Sequence, residues 1–309
     1  MAAVSTFLQR HPLRARQRNL LLGLIFVSPW IVGFLAWTVY PLLSSLYYSL
    51  HRYDLLRPPV FIGLQNFQDF LTDTAHTPIV IYNTLYYVIL SAPLGVVSAF
   101  LLASLLNTKI RARPLFRAIF FFPAIVPAMV NAQIWRFLLN VQYGAINGAL
   151  QGLGLPTIPF ISSPDLVKPS LILIHMWAQG NAMLIFLATL QDVPRALYEA
   201  ATVDGASTWH KFRYITIPMC SPVILFNLII AFIYGFQNFT LPWLLTGGTG
   251  GPNQATEFYS VHLYRIAFQY LRMGSASAMA WLLFIAIVIF TIILFRSSGR
   301  WVYYGGSAD

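Results

Sequence analysis

The residues able to do acid/base, nucleophilic or metal chemistry are few in this chain and stand far apart. Nine Asp and Glu, six His and a single Cys are spread over 309 residues. An acid/base catalyst needs two titratable groups on one surface, and a metal site needs clustered ligands. The sequence offers neither constellation, and Cys220 alone forms no internal disulfide. His175 lies in an uncharged run without a carboxylate, which suits a packed or hydrogen-bonded imidazole better than a proton relay. A phosphate-binding loop requires GxxxxGK followed by Ser or Thr, whereas Lys109, Lys168 and Lys211 follow Thr, Val and His. The glycine-rich stretch TGGTGGPNQAT lacks that lysine too and reads as a flexible external loop. Nucleotide hydrolysis, redox chemistry and metal binding are therefore not expected of this chain.

What remains is recognition by neutral groups. Polar side chains inside apolar segments are costly in hydrocarbon and tend to face a bundle interior or a cavity. Trp177 and Asn181 lie four apart and share a helix face, as do Tyr234, Gln237 and Asn238 further on; Asn131, Gln133, Trp135, Asn83 and Trp281 complete the set. Aromatic faces beside amide donors and acceptors suit a sugar, which presents apolar C–H faces and many hydroxyls. Each residue taken singly also suits interhelical bonding or interfacial anchoring. The Tyr234–Asn238 face is the preferred pathway candidate.

The elements that must position these residues follow from composition. The chain is 58% hydrophobic and 9% charged, against about 25% charged in soluble domains. Uncharged runs at 19–51, 74–108, 118–135, 169–191, 214–256 and 273–295 approach or exceed the length of about 20 residues that spans a bilayer. They predict an all-α polytopic protein of six spans, near 20–40, 79–106, 115–139, 167–190, 222–245 and 274–295. Helix is expected to continue from the first span to Leu50, and 140–165 to be an irregular connection. The N-terminal run outlasts a secretory signal core and reads as a retained span. With both termini inside, thirteen of the nineteen basic residues fall on cytoplasmic segments, as the positive-inside rule requires. The net charge of +10 thus orients the protein in the membrane rather than marking a nucleic-acid binder.

Between the fourth and fifth spans lies a polar island, YEAATVDGASTWHKFRYITIP, at 198–218. Asp192 is placed to cap a short helix, Gly205 to end it, Ser207 to cap a second, and Pro218 to stop that one. The product would be a bent helical knob, with a plain solvated loop as the alternative.

One spacing favours the knob. Glu-Ala-Ala at 199–201, Gly205, Ile215 and Ile-Pro at 217–218 resemble the EAA motif of binding-protein-dependent ABC importer permeases, with Ile217 where that family usually has Leu. NVQYGAINGAL, LIFLATLQDVPRALYEAA, LPWLLTGGTGGPNQAT and FQYLRMGSASAMA resemble the carbohydrate branch of the same family, over most of residues 20–296. The resemblance implies a coupling helix in which Glu199, Ala200, Ala201, Asp204 and Gly205 meet a cytoplasmic ATPase. It implies a second permease subunit, two ATP-binding subunits that hold ATP and Mg, an extracytoplasmic solute-binding protein, and a place in a bacterial-type inner membrane. The permease domain would be 20–296 with its EAA loop at about 191–218, between a basic N-terminal segment, 1–19, and a cytoplasmic tail, 297–309. A glycerol phosphate importer, an ion-coupled secondary carrier and a membrane enzyme are the alternatives; the last two would call for buried carboxylates or an acid/base pair.

Overall fold

The computed structural model describes residues 15–108 and 111–303. Most of the basic segment 1–19, Lys109 and the last residues of the tail lie outside them. The architecture is a helical bundle with one two-stranded ribbon, β1 (His51–Arg52) against β2 (Val60–Phe61), antiparallel with His51 opposite Phe61. Among the described residues, four helices are long and apolar enough to cross a membrane, and two bent helix pairs bring the number to six if each pair is one span.

The first span is continuous over Asn19–Ser49, formed by α1 (Ala15–Phe34), a π turn (Leu35–Val39) and α2 (Tyr40–Ser49). The π turn comes just before Pro41. The Tyr40 amide reaches back five residues to the Leu35 carbonyl, and the widened turn makes room for a proline ring that would clash with the carbonyl four residues earlier. After an amphipathic surface helix, α3 (Gln65–Thr72), the second span is the unbroken α4 (Thr77–Leu106).

The third span expected at 115–139 is formed by α5 (Arg113–Ile125) and α6 (Ala128–Leu138), meeting at 101°. Val126 is extended, with ψ of 126°, the geometry that a following proline favours. The connection at 140–165 carries a short helix, α7 (Ala145–Gly152), whose Asn147 is buried and bonded to the backbone of Asn140 and Ile158. The fourth span also bends, by 45°, between α8 (Pro164–Trp177) and α9 (Gly180–Asp192). Gly95 of α4 faces this break: a β-carbon there would lie 2.9 Å from Gln179 Nε2 and 3.0 Å from His175 Nε2.

The knob is built as α10 (Arg195–Val203) and α11 (Thr208–Lys211). Asp192 does not cap it. That residue ends α9, and Pro194 precedes the first turn of α10 without a side-chain cap. Ser207 does cap α11, accepting from the His210 amide at 3.3 Å. Pro218 does not stop the helix. A second π turn (Phe212–Thr216) carries α11 into α12 (Ile217–Phe236), and the Ile217 amide bonds the Phe212 carbonyl five residues back, the device seen before Pro41. The fifth span is therefore one helix from Thr208 to Phe236, which starts earlier and ends earlier than expected. Beyond it come α13 (Thr240–Thr246), α14 (Tyr259–Tyr264), a third π turn (Arg265–Gln269) and the sixth span, α15 (Met273–Ser298).

α4 is the central post. Its N-terminal half packs Tyr87 and Val88 with Leu171, Ile174, Phe236 and Phe258; its C-terminal half packs Val96, Ala99 and Ala103 with Met183, Phe186, Leu190 and the buried Cys220.

Candidate functional site

Three spans lose their regularity around one cavity of about 280 Å³. α4 contributes Tyr87; α6, just past the third-span break, contributes Ala128 and Asn131; the fourth-span break contributes Ile174, His175 and Ala178. The end of α12 and the start of α13 contribute Tyr234, Gln237, Asn238, Phe239, Thr240 and Leu241. Interrupted helices at membrane depth are tolerated where the freed backbone is buried in protein or lines a cavity. No carboxylate, Lys or Arg lines this one. Asn131 Oδ1 and Asn238 Nδ2 are buried without a hydrogen-bond partner. One acceptor and one donor thus stand unsatisfied in a low-dielectric setting, where leaving them so costs about 1–3 kcal/mol each.

The structure thus brings Asn131, Tyr234, Gln237 and Asn238 together and adds Tyr87 and His175. His175 meets Gln179 through its Nε2 at 2.8 Å, and the same Gln179 amide donates to the His175 carbonyl at 3.1 Å, so the pair braces the bend. A histidine four residues before a glutamine was a visible signal in the sequence, but without the bend it pointed nowhere.

The other pathway candidates lie elsewhere. Trp135, buried, packs edge-on against Trp177 with ring centres 5.4 Å apart, and its Nε1 has no partner. Trp177 and Asn181 fall on opposite sides of the fourth-span bend, and Asn181 is exposed. Trp281 donates to Ser45 Oγ at 3.2 Å and so ties the sixth span to the first. Asn83 is a fastener: it donates to the carbonyls of Gln254 (2.8 Å) and Glu257 (3.4 Å) and accepts from Lys168 Nζ at 2.9 Å.

That fastening alters the reading of the glycine-rich loop, which is held rather than loose. Thr256 donates to the Gly251 carbonyl at 2.7 Å, and the Tyr259 amide to Thr84 Oγ1 at 2.8 Å. Glu257, 2% exposed, meets His262 Nδ1 at 2.8 Å and Arg265 Nη1 at 3.0 Å. Burial by itself would raise the Glu257 carboxyl; the His262 hydrogen bond and the charges of His262, Arg265 and His76 outweigh it and hold the group below its ordinary range.

At the far end of α12 the knob is exposed. No residue of α10 is buried, Val203 is 89% exposed and Trp209 67%. Gly205 has φ of +74°, and its neighbours close the helix in the Schellman pattern: the Ala206 amide bonds the Ala201 carbonyl at 2.8 Å and the Gly205 amide the Thr202 carbonyl at 3.1 Å. Lys211 Nζ donates to Thr202 Oγ1 at 2.8 Å, which braces α11 on α10.

A helical bundle whose third and fourth apolar segments break beside an uncharged cavity, with a continuous helix joining that cavity to an exposed knob, is an arrangement that suits a membrane transport permease. The chain belongs to the family described as binding-protein-dependent transport system inner membrane component, whose model matches residues 91–302. It is similar to the probable ABC transporter permease protein YesP of Bacillus subtilis, 38% identical over 94% of each chain. It is also similar to the trehalose/maltose transport system permease protein MalF of Thermococcus litoralis, 30% identical over 92% of this chain and 95% of that one. Its fold matches a chain of the bacterial alginate ABC transporter, solved in complex with an alginate pentasaccharide-bound periplasmic protein: TM-score 0.80, 24% identity, 92% of this chain and 96% of that one covered.

Proposed function

We propose that this chain is one of two permease subunits of an ATP-driven importer for a sugar or related polyol. The observation that carries the substrate class is the uncharged cavity with its unsatisfied acceptor and donor, Asn131 Oδ1 and Asn238 Nδ2, beside the Tyr87 and Tyr234 rings. Both atoms are closed off from the open space in this state, and once the side chains turn into the cavity neutral hydroxyls satisfy both groups without a countercharge. A glycerol phosphate would call for Arg or Lys in the lining, and none is there. The trehalose/maltose assignment of one relative points the same way.

In this reading both termini and the knob are cytoplasmic, the permease domain is 20–296, and the loop fastened by Asn83 and Glu257 faces the extracytoplasmic solute-binding protein. α10 is the coupling helix. Glu199, Ala200, Ala201, Asp204 and Gly205 form its contact with an ATPase subunit, and the bare Val203 and Trp209 side chains give that partner apolar surface to cover. Two such ATPase subunits hold ATP and Mg and supply the chemistry.

The chain's own part is mechanical. Residues 208–236 form one helix of 29 residues, about 44 Å at 1.5 Å per residue. A displacement imposed on the knob is carried along that rod to Gln237 and Asn238 in the cavity. Alternation of access then follows from rocking α12 against the broken third and fourth spans. Co-purification tests the assignment: the tagged chain is expected to bring down a second permease, a nucleotide-binding subunit and a soluble receptor. Sugar transport by this chain alone would overturn it.

A further inference from the structure

His175 is held in one tautomer by its neighbour at the fourth-span bend. Gln179 Nε2 lies 3.1 Å from the His175 carbonyl oxygen and 2.8 Å from His175 Nε2. A carbonyl oxygen only accepts, so the atom facing it is the amide nitrogen and not the amide oxygen. That NH2 group gives one hydrogen to the carbonyl and the other to the ring. His175 Nε2 is therefore an acceptor and carries no proton, which leaves the proton of the ring on Nδ1. The pair is confined as well. It lies against Gly95 of α4, where a β-carbon would stand 2.9 Å from Gln179 Nε2 and 3.0 Å from His175 Nε2. Tyr87, also on α4, stands edge-on to the imidazole with ring centres 6.2 Å apart.

The ring lines the cavity of about 280 Å³. Nδ1 has no bonded partner among the described residues and, unlike Asn131 Oδ1 and Asn238 Nδ2, it is not sealed in the packing. We infer that His175 Nδ1–H is a fixed hydrogen-bond donor to the transported sugar, and that Gln179, outside the lining, is the positioning residue that keeps it a donor. A free imidazole exchanges tautomers, so the same ring nitrogen is a donor at one moment and an acceptor at the next. With that exchange blocked, the substrate must bring an acceptor oxygen to this point: a hydroxyl, or a ring or glycosidic oxygen. A protonated amine presents hydrogens alone and is turned away. The cavity thus discriminates by polarity as well as by size. The sugar as the partner rests on the reading proposed above; the tautomer does not.

Both parts are tested on the complete purified transporter in lipid vesicles. Isotope-labelled histidine and solid-state carbon–nitrogen correlation spectra distinguish Nδ1–H from Nε2–H, with the His175 signals identified by their loss in His175→Asn. A single neutral Nδ1–H species is expected in the wild type and a mixture of tautomers in Gln179→Met. An Nε2–H or doubly protonated His175 in the wild type, or an unchanged spectrum in Gln179→Met, overturns the inference. Uptake of radiolabelled glucose, maltose and glycerol reads the contact. For whichever is transported, KM is expected to rise about fivefold in His175→Phe, with the maximal rate unchanged, and to rise in Gln179→Met in the same sense. It should stay near the wild-type value in His175→Asn, whose amide nitrogen occupies the Nδ1 position. An unchanged KM in His175→Phe, or an equal rise in His175→Phe and His175→Asn, overturns the contact. A wild type that takes up none of the three tells against the sugar reading and with it the contact, while the spectra decide the tautomer on their own.

Discussion

Replacing Gly205 tests the coupling knob with a graded perturbation. The residue sits at φ +74°, and a β-carbon built there meets nothing within 4 Å. A substitution therefore creates no clash, and its whole cost is the left-handed backbone, about 1–2 kcal/mol for an L-residue. Asn tolerates that region, Ala less so, and a β-branched Val is worst. Because α10 contributes no buried residue, the cost falls on the local bend and leaves the bundle's melting temperature nearly unchanged. At 1.4 kcal/mol per factor of ten, the closed bend loses about five- to thirtyfold in population relative to its opened forms. ATPase stimulation by loaded receptor, measured on the transporter in lipid vesicles, is expected to fall in the order Gly205→Asn, Gly205→Ala, Gly205→Val, with sugar uptake following and membrane insertion intact. Wild-type uptake and stimulation in Gly205→Val would refute the coupling role. Equal loss in all three would refute the backbone origin of the effect.

Three other outcomes are expected. Asn131→Ala and Asn238→Ala each remove one side of a cavity hydrogen bond worth about 1 kcal/mol, so each should raise the transport KM about fivefold while the complex assembles normally; unchanged KM in both discards the cavity as the sugar site. Glu257→Gln leaves His262 and Arg265 without their carboxylate and should loosen the loop around residues 247–258, at a cost of about 3 kcal/mol, seen as faster amide exchange there. Because the folded Glu257 carboxyl is held below its ordinary range, its contribution is complete above the unfolded value of about 4.3 and is lost as pH falls through the lower folded value; exchange in that loop of the wild type should rise only on that acid side. Trp281→Phe removes the bond to Ser45 and should lower thermal stability by about 1 kcal/mol with KM unchanged, whereas a raised KM would return Trp281 to the pathway.

Much of this protein was legible as sequence because lipid imposes a one-dimensional constraint. Uncharged runs long enough to span placed the order of the apolar helical segments, four of them single helices and two of them bent pairs, and the turn chemistry of Gly205 and Ser207 set the bend of the knob, since both depend on residues a few positions apart. The EAA spacing gave the family for the same reason.

Proline was where local reading was uneven: Pro41 was expected to be carried through and is, whereas the break at Pro127 was not foreseen and the stop expected at Pro218 does not occur. Pro127 breaks the third span sharply, yet Pro41 and Pro218 are carried through by π turns. All three look alike in sequence, and the backbone takes a different course at each: extended before Pro127, a widened helical turn before Pro41 and Pro218. Polar residues inside spans divided in the same way. Asn131 and Asn238 meet in a cavity while Asn83 and Trp281 fasten a loop and a helix, and only partners 100 or more residues away in the chain separate the two roles. The amino-acid sequence by itself determined a helical membrane permease with a bent helical knob between its apolar segments. The tertiary structure decided that the knob and the cavity are the two ends of one unbroken helix, because the widened turn at Phe212–Thr216 seats the Pro218 ring without breaking the helical path.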